Sequence, residues 1–132
     1  MFKINPSSSQ PIYEQVVSQV KESILKGALR EGEKLPSVRE LAEMTRVNPN
    51  TIGKAYKTLE KERIIVTIRG RGTFVNESLD IKTDSTALIQ LKKKLKDIIV
   101  ELHYFGVEKD DAQKIISEIY LELRKEADHA SS

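Results

Sequence analysis

The sequence predicts a mainly α protein with a small β-hairpin, in which an N-terminal winged helix-turn-helix precedes a C-terminal two-helix hairpin that forms a dimer. Three observations predict this. A capped short helix, a tight turn and an Asn-Pro-capped helix follow one another over residues 37–63. A glycine-hinged basic turn, Arg69-Gly70-Arg71-Gly72, comes next between two β-branched runs. From residue 87 onward, apolar residues recur at helical spacing alone. The predicted organisation is a winged domain over 1–76, a polar linker over 77–86 and a helical dimerisation hairpin over 87–132.

The first helix is expected from Pro11 to about Lys26. Pro suits a first helical position because it has no amide hydrogen to waste and its φ is already helical. Ile12, Val16, Val20 and Ile24 recur every four residues, and Val17 and Leu25 broaden the stripe. Gly27 supplies a left-handed cap. Residues 30–36 then read as a charged loop.

Ser37 opens the second helix. Ser37-Val38-Arg39-Glu40 has capping-box spacing, in which the Ser oxygen and the Glu carboxylate satisfy each other's orphan amides. Val38, Leu41 and Ala42 form its inner face. The third helix starts at Asn48-Pro49, with Asn as cap and Pro in the first turn. Its inward positions are Ile52, Ala55, Tyr56 and Leu59, and it is expected to run to about Arg63. The period then falls from near 3.6 to 2. Ile64 to Ile68 and Thr73 to Val75 read as strands, with glycines of the 69–72 turn at positive φ.

In the C-terminal part, Leu88, Leu91, Leu95, Ile98, Leu102 and Phe105 are spaced 3-4-3-4-3, a heptad seam. Gly106 ends that helix. Ala112, Ile115, Ile119 and Leu123 mark the last one, widened by Ile116 and Tyr120, with fraying expected after Glu126. About 45 residues of hairpin bury too little apolar surface to stand alone. A symmetric four-helix dimer is the simplest solution, and folding back onto the winged domain is the alternative. The seam positions, with Ile115, Ile119 and Leu123, are the candidate dimerisation residues.

Composition removes other classes. Hydrophobic residues are 39% and charged residues 32%, as in globular proteins. No apolar run is long enough to cross a bilayer, and no signal peptide is recognisable at the start, so a cytoplasmic protein is expected. The absence of cysteine excludes thiolate metal sites and Cys nucleophiles. His103 and His129 are too far apart in the chain to form a metal site. No catalytic residue, metal or cofactor is implied, and an enzyme is rejected. Residues 1–76 carry 13 Lys+Arg against 8 Asp+Glu, a net of +5, whereas residues 77–132 carry 9 against 12, a net of −3. A basic half of this kind fits a polyanion-binding module.

A helix of this type fits a major groove and reads it with its N-terminal residues. Asn48, Asn50, Thr51 and Lys54 occupy that edge, and each can exchange hydrogen bonds with base edges. Asn50 is the first choice, because an Asn amide pairs bidentately with adenine. Ser37 and Arg39 would face phosphates, and Arg69 and Arg71 stand on a narrow tip suited to the minor groove or backbone. Each has a plainer reading. Asn48 is a helix cap first, Thr51 a solvated first-turn residue, and Lys54, Lys57, Lys61 and Arg63 the wet face of an amphipathic helix. Arg69 and Arg71 can also sit on an idle hairpin.

Three stretches carry a family resemblance: Leu35 to Ala42 (LPSVRELA), Val47 to Tyr56 (VNPNTIGKAY) and Arg69 to Val75 (RGRGTFV). Together they resemble the DNA-binding domain of GntR-family regulators. Asn48-Pro49-Asn50-Thr51 and the short C-terminal part resemble the YtrA-type subfamily. The resemblance implies a homodimeric transcriptional regulator, often repressing its own operon and often beside ABC-transporter genes. It implies DNA contacts at Ser37, Arg39, Asn50, Thr51 and the hairpin from Gly70 through Arg71 and Gly72 to Thr73. Pro49 and Gly53 stand where many relatives have Arg, so those relatives' operator preference does not carry over; Arg46 stands where relatives commonly have Gly, which implies a left-handed backbone there. Double-stranded palindromic DNA and a second copy are therefore the expected partners, and a small-molecule effector is left open. The alternative function is a winged-helix protein-interaction module, since a fold alone does not fix a function.

Overall fold

The computed structural model describes residues 2–77 and 85–131, and the chain divides into two compact units. The first contains α1 (Ile12–Leu25), β1 (Lys34–Leu35), α2 (Val38–Thr45), α3 (Pro49–Lys61), β2 (Ile65–Ile68) and β3 (Gly72–Val75). Its three helices are packed through α3, which lies against both α1 and α2. The inward positions expected of α3 are all buried, and they meet Val16, Val17 and Val20 of α1 and Leu41 of α2 in one core. Full burial of such side chains contributes roughly 1.5–3 kcal/mol each.

Five local expectations are corrected. Pro11 is the N-cap, with ψ 146, and Ile12 is the first helical residue. Leu25 is exposed, while Ser23 takes the buried place near the end of α1. Helix α3 stops at Lys61, because Arg63 adopts φ 61. The Arg63 and Ile64 amides then donate to the Glu60 and Leu59 carbonyls, the Schellman pattern that ends helices. Strand β2 accordingly starts at Ile65, not Ile64.

The fifth correction enlarges the sheet. The segment expected to be only a loop holds β1, which pairs antiparallel with β3 in the register Lys34↔Phe74 and Leu35↔Thr73. The hairpin is thus the larger part of a three-stranded sheet ordered β1-β3-β2. Two residues cannot display a period of 2, which is why the strand was invisible in the sequence. An N-terminal strap was missed as well. Phe2 and Ile4 lean on the core, and Gln15 and Gln19 use their amides to bind the backbone of Asn5 and Lys3 through both N–H and C=O.

The second unit contains α4 (Ser85–Tyr104) and, as far as Glu126, α5 (Lys109–Ser131). Gly106, at φ 79, lets the Gly106 and Val107 amides reach back to the His103 and Leu102 carbonyls, closing α4 as expected. Helix α4 ends one residue before Phe105, and α5 continues past Glu126, where fraying was expected. The central residues of the expected linker, 78–84, lie outside the described residues. The seam stays open to solvent: Leu91 is 60% exposed, Leu95 47%, Ile98 55% and Phe105 82%. Among the described residues, no helix is long and apolar enough to cross a membrane.

Candidate nucleic-acid interface

The start of α2 is built by its cap. Ser37 Oγ accepts from the Glu40 amide at 3.1 Å, and the Ser37 amide donates to Glu40 Oε1 at 3.4 Å. Both halves of the capping box are therefore present. A second tie holds this corner to the next helix: Tyr56 Oη donates to the Pro36 carbonyl at 2.6 Å. Burial, and then the charge of Glu40, push the Tyr56 phenol up to about 12. It remains a neutral donor throughout the physiological range. Arg39, in the first turn of α2, is exposed.

The turn from α2 to α3 is tight because Arg46 takes the left-handed conformation, φ 57 and ψ 38, as its position requires. The Val47 amide reaches back to Ala42. Asn48 is engaged as a cap, its Oδ1 accepting from the Asn50 amide at 2.8 Å. With that carbonyl oxygen occupied, its NH₂ remains a donor. Asn50 and Lys54 are exposed, Thr51 is half-buried, and Gly53 faces open space. Asn50, Lys54, Lys57 and Lys61 share one face of α3, directly opposite Ile52, Ala55, Tyr56 and Leu59. The edge is polar and basic because the core-facing half of the helix takes all its apolar residues.

The wing continues from α3. Thr67 Oγ1 donates to Glu60 Oε1 at 2.5 Å and faces Thr73 Oγ1 at 3.3 Å across the β2–β3 pair. Asn76 Nδ2 donates to the Arg63 carbonyl at 2.9 Å, fastening the far side of the hairpin. The Arg71 amide closes the tip on the Ile68 carbonyl at 2.9 Å. Gly70 and Gly72 sit at φ 81 and 123, as the turn spacing predicts. At Gly72 it is this φ that disfavours a side chain; a Cβ there would lie 2.8 Å from Lys34 Cε, the movable end of a flexible side chain.

Charge on these elements is uncompensated. Among the described residues, the ion pairs formed are Lys21–Glu62 and Lys26–Glu22, and none involves Arg39, Lys54, Lys57, Arg69 or Arg71. Such cations are free to displace the counterions of a polyanion.

A sequence model for bacterial regulatory proteins of the gntR family matches residues 12–75, the span from α1 to β3. The chain is also 47% identical to the HTH-type transcriptional repressor YtrA of Bacillus subtilis, over 94% of its own length and 95% of that protein. The chain belongs to the GntR family. As a GntR-family regulator it carries the winged-helix DNA-binding domain of that family, and the family regulates transcription rather than catalysing reactions. Similarity that runs from end to end to YtrA groups it with the YtrA-type members, as the NPNT stretch and the short C-terminal part suggest. Among solved structures, a protein described as a transcriptional antiterminator from Listeria monocytogenes EGD-e is 42% identical, with a TM-score of 0.83 over 94% of this chain and 92% of that one. The AraR DNA-binding domain in complex with operator ORX1 is 31% identical, with a TM-score of 0.50, covering 57% of this chain and 92% of that one.

Some residues of this GntR-family interface gave no signal in the sequence. Tyr13 falls on the inner face of α1, where it reads as ordinary core packing, yet its ring receives the Lys54 ammonium. Lys34 reads as loop charge, yet β1 lays it along the wing beside Gly72. Glu60 and Thr67 look like ordinary surface residues, and only the coordinates pair them. In the second unit, His103 is exposed and meets Tyr104 edge-on, with ring centroids 5.4 Å apart. The concavity along α5 lined by Asp110, Gln113, Lys114 and Glu118 is polar and open, unlike the enclosed apolar sites that hold small molecules.

Proposed function

We propose that this GntR-family member is a homodimeric, sequence-specific DNA-binding repressor of its own operon, one that encodes an ABC transporter. The observation that carries the DNA-reading part is the exposed leading edge of α3. Asn50, Thr51 and Lys54 project from a helix whose start is capped by Asn48 and whose back is fixed in the core. In this reading Asn50, Thr51 and Lys54 read base edges, with the Asn48 amide beside them. Ser37 and Arg39 hold phosphates, and the wing from Arg69 to Thr73, with Lys34 added, follows the backbone or the minor groove. AraR, bound to an operator, has a domain of the same fold at 31% identity, and this supports the docking mode. The name of YtrA as a repressor supports the direction of control.

Dimerisation is supported by the open seam. Leu91, Leu95, Ile98 and Phe105 are each about half exposed or more in the single chain, and α5 does not cover them. Burying the exposed part of one such side chain stabilises an assembly by roughly 1 kcal/mol. A second copy also doubles the reading heads, so the operator is a two-fold-related pair of half-sites. The test is competition between duplex from upstream of the chain's own coding region and random duplex, at two salt concentrations. A preference for the upstream duplex that weakens steeply with salt is expected. Equal affinity for both duplexes would remove the repressor reading and favour a protein-interaction role.

A further inference from the structure

Lys54 belongs to the exposed stripe of α3, yet its ammonium is not loose. Its Nζ lies 3.9 Å from the centroid of the Tyr13 ring. The ring is presented by α1, which packs directly on α3, so the platform is a helix and not a loop. Tyr13 is itself held on two sides: its body leans on the core, and its hydroxyl donates to Glu14 Oε1 at 3.2 Å. The Lys54 backbone is engaged too, its carbonyl accepting from Thr58 Oγ1 at 3.0 Å. Lys57 and Lys61, on the same stripe, have neither a ring nor an ion-pair partner among the described residues.

This difference separates two kinds of lysine. A free lysine on a basic face follows whichever phosphate is nearest and strengthens binding to every duplex alike. A lysine held over an aromatic face keeps its charge and all its donors, but its rotamers are already biased toward one place before DNA arrives. A donor fixed at the leading edge of a groove-reading helix suits acceptors at fixed places on base edges, above all the O6 and N7 of guanine. We propose that Tyr13 is a positioning residue for base recognition: it holds Lys54 as a fixed donor, so discrimination between DNA sequences depends in part on α1. The inference rests on the DNA-reading function proposed above.

The test uses the full chain, with upstream duplex competed against random duplex over a salt series. The variants are Tyr13→Leu, Tyr13→Phe, Lys54→Met and the double variant Tyr13→Leu/Lys54→Met. Tyr13→Leu and Lys54→Met are each expected to lower the preference for upstream duplex about two- to five-fold, or about 0.5–1 kcal/mol at 1.4 kcal/mol per tenfold. The double variant is expected to lose no more than either single one. Tyr13→Phe keeps the ring and is expected to retain the wild-type preference. The salt slope on random duplex stays as in the wild type. Additive losses, or a Tyr13→Phe variant as impaired as Tyr13→Leu, overturn the proposal. Should Tyr13→Leu not fold, Lys54→Met decides: lost preference at an unchanged slope supports the proposal, and a slope reduced by about one with preference intact overturns it. Wild-type protein without preference overturns the DNA-reading function and this inference with it. Wild-type preference that survives Tyr13→Leu overturns the inference alone.

Discussion

Replacing Tyr56 by Phe removes one oxygen and tests how the reading helix is held. Tyr56 is only 3% exposed, and its hydroxyl makes a 2.6 Å hydrogen bond to the Pro36 carbonyl, just before the Ser37 cap. Phe fills the same space, so no cavity term enters. The half-buried carbonyl is left without its donor, at a cost of about 1 kcal/mol. For a unit of this size that corresponds to a fall in Tm of roughly 4–8 °C. The same bond makes a second, independent prediction. The folded-state phenol is raised from 10.0 to about 12, chiefly by burial and then by Glu40. A raised folded value means that its contribution is complete below pH 10, where both states keep the proton. It is lost as pH rises toward 12, because the unfolded chain releases its proton first. Thermal unfolding of wild type and Tyr56→Phe from pH 7 to pH 11 checks both points, and differences between the two proteins cancel the other tyrosines. The wild type should be more stable at pH 7, with the gap narrowing above pH 10. Equal Tm values at pH 7, or a gap that widens with alkali, would refute this account of the corner.

Three further outcomes follow from the geometry. Ser37→Ala removes the acceptor of the Glu40 amide and one half of the capping box, and should cost about 1 kcal/mol in urea unfolding. Arg63→Gly relieves a left-handed non-glycine residue that ends α3; after the added unfolded-chain entropy of Gly, a net gain of about 0.5 kcal/mol is expected in the same assay. Leu95→Glu places a charge in the middle of the open seam of α4 and should convert dimer to monomer in sedimentation equilibrium. The winged unit should stay folded by circular dichroism.

Most of the winged unit was legible because its elements announce themselves by local chemistry. Ser37 and Glu40 mark a helix start at capping distance, Asn48-Pro49 marks another, and Gly70 and Gly72 mark a turn that needs positive φ. Arg46 was legible only through the family resemblance, since it stands at a turn position where relatives commonly have Gly. Arg63 was not. It ends its helix by the same left-handed turn, but an arginine among charged residues carries no stop signal. The short β1 escaped because pairing with β3, distant in sequence, creates it. The strap over α1 escaped because glutamine side chains, not a periodic pattern, hold it.

The interface divides in the same way. Which residues are exposed at the leading edge of α3 follows from the period of its buried ones, so Asn50 and Lys54 could be placed from the sequence alone. What those side chains touch could not. The meeting of Tyr13 with Lys54, and of Thr67 with Glu60, depends on how α1 and the wing lie against α3. Helix periodicity found the seam of α4, but not that α5 leaves it uncovered.

The central claim is that residues 48–54 present themselves to a groove, and NMR chemical-shift mapping tests it most directly. Duplex from upstream of the coding region is titrated into the labelled protein, and backbone and Asn side-chain amides are followed. The largest shifts are expected at Asn48 to Lys54, with further changes at Ser37 to Arg39 and Arg69 to Thr73. Shifts gathered on α4 and α5, with the Asn50 amide unmoved at saturation, would contradict the account.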